Sequence, residues 1–237
     1  MPRPGSSIDT LPPGNPTGQP AMFSLNTFID GLPLLFHAAL MTLEVSAAGL
    51  VLGFCIGLVV CCGRLAPHVA IRTAAGAYVR VFRGVPLLVQ LLLVYYFLPF
   101  VGLNVPPVMA AVSAVSLCSA AYIAEILRGG FANLPKGQLE AATMLGFSAT
   151  DRLWRIQVPQ AVRMTLPSLV NEMVLLIKAS SLVSVVGVAE ITRTAQNIAA
   201  STYQPLEAYV AAGMIYFLLC GSLALIAHGA ERRLRAA

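Results

Sequence analysis

The sequence predicts an all-α integral membrane protein with five transmembrane helices and one polar segment, residues 134–159, between the third and the fourth. Of its 237 residues, 57% are hydrophobic and only 11% are charged, whereas about 25% of the residues of a typical soluble domain are charged. The mean hydropathy of +0.79 points the same way. The apolar residues are grouped into five runs, each close to the roughly 20 residues that cross about 30 Å of hydrocarbon as a helix.

The predicted transmembrane helices cover about residues 37–62, 85–103, 107–127, 166–188 and 205–228. Residues 1–36 precede them and begin with a stretch rich in Pro, Gly, Ser and Thr, without the basic-then-apolar layout of a signal peptide. We therefore predict a disordered tail and lead-in over this range. Residues 190–204 are predicted to be a polar loop, and residues 230–237 a basic tail.

Lysine and arginine lie mainly on one side of the predicted membrane. Four of the fifteen are in residues 63–83, five in residues 128–163 and three at the C-terminus, whereas only Arg3 and Arg193 lie on the opposite side. The remaining one, Lys178, lies inside the fourth predicted helix. Cytoplasmic loops carry an excess of these residues. The N-terminus is therefore predicted outside the cell, with the C-terminus and the polar segment in the cytoplasm. Placement beside the membrane, and not binding of nucleic acid, explains the net charge of +5.

A stripe of glycines marks the first predicted helix. Gly49, Gly53 and Gly57 are spaced four apart, so they lie on one helix face. Small residues in this pattern let two transmembrane helices approach closely in lipid. Helix packing is the interpretation that we favour, and a flexible gate is the alternative.

The polar segment has the signals of two short helices. Residues 136–145 are mostly good helix formers, and Gly146 follows them, as glycine often follows a helix that ends in the left-handed conformation. Ser148 and Asp151 have the spacing of a capping box, which predicts a second helix running to Pro159. A structured loop with no further role is the plain alternative.

The spacing in the polar segment resembles the EAA loop of ABC importer permeases. The residues that match are Glu140, Ala141, Ala142, Gly146, Ile156 and Pro159. The resemblance implies the type I ABC importer permease fold, in which this loop is the cytoplasmic coupling helix and sits in a groove on a separate ATPase subunit. It also implies that these six residues couple the chain to that ATPase. The residue types suit such a contact, because two alanines permit close approach and a glycine sets the angle between the helices.

Polar side chains inside the predicted helices are the candidates for contact with a solute, because each is costly in lipid unless it is paired or faces water. These candidates are Gln90, Tyr122, Glu125, Asn171, Glu172, Lys178, Ser181 and Ser184. Asn171 and Lys178 are seven positions apart and therefore share a helix face. The alternative is structural pairing between helices, through a Glu–Lys or an Asn–backbone pair.

Four further blocks resemble the polar amino acid permeases of the histidine, glutamine and arginine uptake branch. They are residues 83–90, 121–130, 135–138 and 178–185. Together the blocks extend the resemblance over about residues 39–229. Ala179 stands where that branch usually has an acidic residue, so a charge pair at this position is in doubt.

This resemblance implies a function and a set of partners. The chain is expected to be the transmembrane permease subunit of an ATP-driven importer of polar amino acids, in the inner membrane of a bacterium. The expected partners are a second permease subunit (a copy or a paralogue), two ATPase subunits and a solute-binding protein. A permease for another small polar solute is the nearest alternative, followed by a passive channel and an intramembrane enzyme.

The sequence lacks the residues that a nucleotide, metal or catalytic site would need. Its two lysines, Lys136 and Lys178, are followed by glycine and alanine, so neither belongs to a GxxxxGK[ST] phosphate loop. ATP and Mg²⁺ are therefore expected on the partner ATPase, with no cofactor or metal in this chain. The five cysteines lie in apolar runs without CxxC spacing, and the three histidines are far apart, so we expect no enzyme activity.

Overall fold

The computed structural model describes the backbone of residues 23–236 and the side chains of residues 23–227 and 229. The described chain contains the helices α1 (Leu25–Leu65), α2 (Val69–Gly84), α3 (Leu87–Phe100), α4 (Pro107–Ala132), α5 (Lys136–Met144), α6 (Ala149–Val186), α7 (Ile191–Thr202) and α8 (Pro205–Ala236). Within α6, Arg152–Gln157 form a π-helical turn and Ser180–Val186 a 3₁₀ helix. Residues 23–236 contain no strand, so the all-α prediction is confirmed.

Four helices, α1, α4, α6 and α8, are long and apolar enough to cross a membrane. The second predicted span, residues 85–103, is not one straight helix. α3 has 14 residues, which extend about 21 Å at 1.5 Å per residue and fall short of about 30 Å of hydrocarbon. α2 and α3 together are long enough, but they are bent by 105° relative to each other. Five spans result when this bent pair is counted as one broken span.

Pro86 explains the break between α2 and α3. Proline has no backbone N–H and disfavours the helical conformation of the residue before it. Val85 is accordingly extended, with φ −103° and ψ 133°. The side-chain amide of Gln90 donates hydrogen bonds to the carbonyl oxygens of Phe82 (2.8 Å) and Val85 (2.7 Å). Gln90 thus stabilises the end of α2.

The first and last helices extend further than predicted. α1 begins at Leu25, so the predicted disordered lead-in up to residue 36 is wrong from that point onward. The earlier part of the predicted tail, residues 1–22, lies outside the described residues. At the other end, α8 continues to Ala236, so the predicted basic tail, residues 230–237, is helical as far as that residue.

The predicted polar loop over residues 190–204 is instead the helix α7. Three of its apolar residues are buried about one helical turn apart: Ile191, Ala195 and Ile198. They pack against apolar residues of α1 and α8, whereas the exposed face of the helix carries Arg193, Asn197 and Ser201. The segment is therefore an amphipathic helix, and its high content of polar residues hid this periodicity.

Glu190 is fully buried and fixes the position of α7. Its carboxylate accepts hydrogen bonds from two backbone N–H groups in the first turn of α7 (2.9 and 2.8 Å) and from the Tyr216 hydroxyl of α8 (2.7 Å). Burial raises the pKa of this carboxyl above its ordinary value, although the hydrogen bonds favour the charged form. The N–H of Ile191 donates to the Thr42 hydroxyl of α1 at 3.3 Å. One buried polar cluster therefore joins three helices.

The glycine stripe of α1 lies against α4. A Cβ atom built at Gly49 would be 2.6 Å from Val115, and one built at Gly53 would be 1.9 Å from the Ser119 hydroxyl. At Gly57 the same atom would be 3.0 Å from Ile123. Close approach of two helices along small residues is the geometry that the stripe predicts.

We expect Gly53→Ala to destabilise the folded protein by about 1–3 kcal/mol, because the new methyl group overpacks the α1–α4 contact. Thermal unfolding of the purified protein in detergent measures this loss. Gly213→Ala is the matched control, since a Cβ atom at that glycine of α8 meets nothing within 4 Å. Equal unfolding temperatures for the two variants would show that the stripe is not a packing contact.

Candidate functional site

The first half of the polar segment forms α5, and its end is built as predicted. The N–H of Phe147 bonds the carbonyl oxygen of Ala142, and the N–H of Gly146 bonds that of Thr143, both at 3.1 Å. This pair of bonds is the Schellman motif, which requires a left-handed residue after the helix. Gly146 has φ +79°, and a Cβ atom there would meet nothing within 4 Å. The predicted stop at Gly146 is confirmed, and its cause is backbone conformation.

The second helix of the polar segment begins where the sequence predicts, but it does not end at the predicted residue. The Ser148 side-chain oxygen accepts from the Asp151 N–H at 3.1 Å and caps α6. The predicted end at Pro159 is wrong, because α6 continues through this proline. The π-helical turn Arg152–Gln157 directly precedes it. Such a wider turn shifts the carbonyl groups that the proline ring would otherwise meet, so the helix continues into the membrane span.

Side-chain hydrogen bonds join the two helices of the polar segment. The Gln160 amide of α6 donates to the Gln138 side-chain oxygen of α5 at 2.7 Å. Arg152 of α6 donates to the Thr143 hydroxyl of α5. These bonds and the short turn at Gly146 connect α5 to the membrane-spanning helix α6.

The six residues that match the EAA loop are mostly accessible. Glu140, Ala141, Gly146 and Pro159 are exposed, Ile156 is half-buried and Ala142 is buried. Ala142 therefore packs within the segment, whereas the exposed residues are free to contact a second protein.

A cavity of about 450 Å³ lies beside the break between α2 and α3. We call it the Arg83 cavity, and it is lined by Arg83, Gly84, Val85, Pro86, Leu87, Cys118, Ser119, Tyr122, Glu172, Leu175, Leu176 and Ala179. Because Pro86 interrupts the helix there, α2, α3, α4 and α6 all contribute to its wall. Two of the predicted path residues, Tyr122 and Glu172, line this cavity.

A basic and an acidic side chain face the Arg83 cavity. The Arg83 guanidinium carbon lies 5.2 Å from the centre of the Tyr122 ring, which is a cation–π contact. Glu172 is buried, and among the described side chains it forms no salt bridge with Arg83 or with any other cation. The cavity therefore presents a basic and an acidic side chain that are not directly paired with each other.

The other predicted residues of α6 lie on a different face. An exposed strip of this helix, the α6 strip, consists of Asn171, Leu175, Lys178 and Val185. Asn171 and Lys178 share one face, as their spacing predicts, and Lys178 also borders a groove next to Cys220 of α8. Leu175 lies in both the strip and the Arg83 cavity, so the two features adjoin.

Four predicted path residues form hydrogen bonds within the fold: Gln90, which bonds carbonyl oxygens at the end of α2, and the three residues Ser181, Ser184 and Glu125. The hydroxyl of Ser181 donates to the Lys178 carbonyl oxygen and that of Ser184 to the Ser181 carbonyl oxygen, both at 2.8 Å. Glu125 accepts from the Arg128 Nε at 2.6 Å and lies 3.6 Å from the Arg64 Nη2. The structure thus places Glu125 in an ion-pair cluster at the ends of α1 and α4, outside the lining of the Arg83 cavity.

The sequence matches the family described as the binding-protein-dependent transport system inner membrane component over residues 49–236. The chain belongs to this family of permeases. Among curated relatives, it is 36% identical over 208 residues to the arginine transport system permease protein ArtQ of Bacillus subtilis, covering 87% of this chain and 95% of ArtQ. It is 37% identical over 220 residues to the glutamine transport system permease protein GlnP of Escherichia coli, covering 90% and 98%.

Solved structures share the fold of this permease. A crystal structure of an amino acid ABC transporter with histidines matches with a TM-score of 0.86 and 35% identity, covering 90% of this chain and 99% of that one. A methionine ABC transporter in an inward-facing conformation matches at 17% identity with a TM-score of 0.66. The predicted type I ABC importer permease fold is therefore confirmed.

Two features of the permease were missed by the sequence analysis. Large apolar side chains are exposed in and beside the polar segment: Met144 is 89% exposed, Leu145 77% and Trp154 65%. Their position in an otherwise polar segment is the signal that could have found them. The sequence places Arg83 among the basic residues beside the membrane, because it does not show the bend that brings this side chain to Tyr122. Among the described residues, no group of three or more His, Cys, Asp and Glu side chains could hold a metal ion.

Proposed function

We propose that this permease is the transmembrane subunit of an ATP-driven importer of polar amino acids. The observation that supports this most is the polar segment, whose two helices are bonded to each other and present exposed apolar side chains at one end of the bundle. The names of the relatives support the choice of solute, because they include permeases for arginine and for glutamine. ATP and Mg²⁺ would be bound by a separate ATPase, and this chain would do no covalent chemistry.

The proposed assembly follows from the surfaces that the chain leaves open. An ATPase subunit would contact the polar segment through Met144, Leu145 and Trp154, with Glu140 beside them. A second permease subunit, a copy or a paralogue, would face the α6 strip, so that two such strips line a route between the subunits. Two ATPases would serve this pair on the cytoplasmic side. A solute-binding protein would deliver the amino acid from outside, where the N-terminus is expected.

The Arg83 cavity is the proposed contact site for the solute. A free amino acid carries a carboxylate and an ammonium group, which the guanidinium of Arg83 and the carboxylate of Glu172 complement. Charge-assisted hydrogen bonds of this kind are roughly twice as strong as neutral ones. The Tyr122 ring holds the Arg83 side chain against the cavity wall. Arg83 therefore loses less conformational entropy when the solute binds.

Helix α6 provides the proposed mechanical link. It runs for 38 residues from the polar segment to Val186, about 57 Å at 1.5 Å per residue. Glu172, Leu176 and Ala179 of this helix form one wall of the Arg83 cavity. Closure of the ATPase pair would push α5, and the bonds from α5 to α6 would pass the displacement to this wall. Alternating access of the cavity to the two sides of the membrane is the expected result.

We expect Leu145→Asp to weaken capture of the ATPase by about 30-fold or more, because a charge would replace an apolar contact at the centre of the interface. Binding of the purified ATPase to the permease in detergent measures this change. Thr150→Asp is the matched control, since it places the same charge at an exposed polar position of the same segment. An equal loss of ATPase binding in the two variants would show that no apolar contact at Leu145 holds the ATPase.

Transport by the reconstituted system tests the function as a whole. The permease is reconstituted into proteoliposomes together with the ATPase and the solute-binding protein. The uptake of labelled arginine, glutamine and histidine is then measured. We expect uptake that requires both ATP and the ATPase. Uptake of these amino acids without ATP would identify a passive channel or a secondary transporter, and ATP-driven uptake of a different polar solute alone would overturn the amino acid assignment.

A further inference from the structure

Three arginines lie along the contact between the end of α1 and α2. Arg64 and Arg80 both approach Gly76: a Cβ atom built at this glycine would lie 2.8 Å from the Arg64 Nη1 and 4.0 Å from the Arg80 Nη1. Arg72, one helical turn before Gly76, donates to the Ala66 carbonyl oxygen at 3.4 Å. We call this cluster of Arg64, Arg72, Gly76 and Arg80 the α1–α2 corner.

The α1–α2 corner has more positive charge than its surroundings neutralise. Residues 63–83 contain no aspartate or glutamate. Glu125 lies 3.6 Å from Arg64, but it is shared with Arg128. Among the described side chains, Arg80 forms no salt bridge, and the buried Nε of Arg64 has no hydrogen-bond partner. One carboxylate is therefore shared by two guanidinium groups, and Arg72 and Arg80 have no carboxylate partner among the described side chains.

Apolar side chains adjoin these arginines on the outside of the bundle. Leu65 is 49% exposed, Val69 65% and Ile71 50%. They surround the end of α1, a helix that is long and apolar enough to cross the membrane. Basic and apolar side chains mixed at such a position fit the boundary between lipid headgroups and acyl chains. A soluble anion would gain nothing from the exposed apolar residues.

We propose that the α1–α2 corner binds the headgroup of an anionic phospholipid. Arg64 and Arg80 contact the lipid phosphate, and Leu65, Val69 and Ile71 contact the first part of the acyl chains. Gly76 has a positive role here, because the absence of a side chain leaves room for the two guanidinium groups to converge. The proposal is independent of which solute the permease moves.

Native mass spectrometry of the purified full-length permease, titrated in detergent with phosphatidylglycerol, tests this proposal. We expect tighter binding of phosphatidylglycerol than of phosphatidylcholine. Arg80→Gln is expected to weaken binding of phosphatidylglycerol by about fivefold or more, the effect of removing one basic residue near an anionic surface. Arg193→Gln is the matched control, because it removes an exposed arginine from α7 and leaves the corner intact.

A second variant distinguishes a binding site with a defined geometry from general attraction between charges. Gly76→Ala keeps every charge but places a methyl group 2.8 Å from the Arg64 Nη1, so the guanidinium must move away from Arg80. Binding of phosphatidylglycerol is therefore also expected to weaken. Equal affinity for this lipid in the unaltered permease and in both corner variants would overturn the proposal. Competition by inorganic phosphate at equal concentration would also overturn it, because the corner would then be a site for soluble phosphate.

Discussion

Gly146→Val is expected to abolish solute uptake while the permease still inserts into the membrane. Gly146 has φ +79°, and an ordinary residue in the left-handed conformation costs roughly 1–2 kcal/mol, with β-branched residues the least tolerated. The Schellman bonds at the end of α5 would be lost, and α5 would no longer hold a fixed angle to α6. The effect is measured as ATP-dependent uptake in proteoliposomes, divided by the amount of permease inserted in the membrane.

Two further variants show whether backbone conformation is the cause. Gly146→Asn is expected to retain most of the uptake, because asparagine tolerates the left-handed conformation better than other residues with a side chain. Gly137→Val places the same side chain in α5, where a Cβ atom meets nothing within 4 Å and φ is not positive. It should transport nearly normally. Normal uptake by Gly146→Val would exclude the polar segment as the coupling element.

Glu172→Gln is expected to lower the uptake of amino acids by roughly 10- to 100-fold, the loss that corresponds to one hydrogen bond to a charged group. The buried carboxylate of Glu172 would no longer attract the ammonium group of the solute in the Arg83 cavity. Capture of the ATPase should be unchanged, because Glu172 lies well along α6 from the polar segment. Uptake kinetics and ATPase binding, measured on the same preparation, separate these effects.

Glu44→Gln provides the comparison for this charge change. Glu44 is an exposed residue of α1 and does not line the Arg83 cavity, so its replacement should leave uptake close to normal. Unchanged uptake by Glu172→Gln would give this carboxylate a purely structural role. A loss of folded protein instead of a loss of transport would lead to the same conclusion.

The parts of the fold that depend on neighbouring residues could be predicted from the sequence. The stop at Gly146 and the cap at Ser148 are made by hydrogen bonds within a few residues, so their signals are local. The glycine stripe is also local, because the absence of side chains on one helix face is visible in the spacing. These local features are the reason that the two helices of the polar segment, and the close contact of α1 with a neighbouring helix, could be predicted.

The helix boundaries that were wrong depend on distant contacts. The start of α1 has a local cap, because the Ser24 hydroxyl accepts from the Thr27 N–H. It is also tied to α8 by a bond from the Ser24 N–H to Glu207, at 2.8 Å and 183 positions away. α7 forms because Glu190 caps its first turn and is buried beside Tyr216 of α8, and because apolar residues of α7 pack against α1 and α8. A polar composition does not reveal either contact. The passage of α6 through Pro159 needs a π-helical turn, and no simple sequence signal announces one.

The candidate site was predicted only in part, for a geometric reason. Helical spacing correctly placed Asn171 and Lys178 on one face, but it could not show that Glu172 turns toward α2 and α4. The Arg83 cavity exists because the chain bends by 105° between α2 and α3, and a bend angle is not encoded in hydropathy. Arg83 was therefore grouped with the basic residues beside the membrane.

Labelling of single introduced cysteines from either side of the membrane tests the central claim most directly. Thr150→Cys lies in the exposed polar segment and Asn197→Cys on the exposed face of α7. A membrane-impermeant maleimide should label Asn197→Cys in intact cells and Thr150→Cys only after the cells are opened, with the unaltered chain as the background. Labelling of Thr150→Cys in intact cells would contradict the account, because an ATPase in the cytoplasm could then not reach the polar segment.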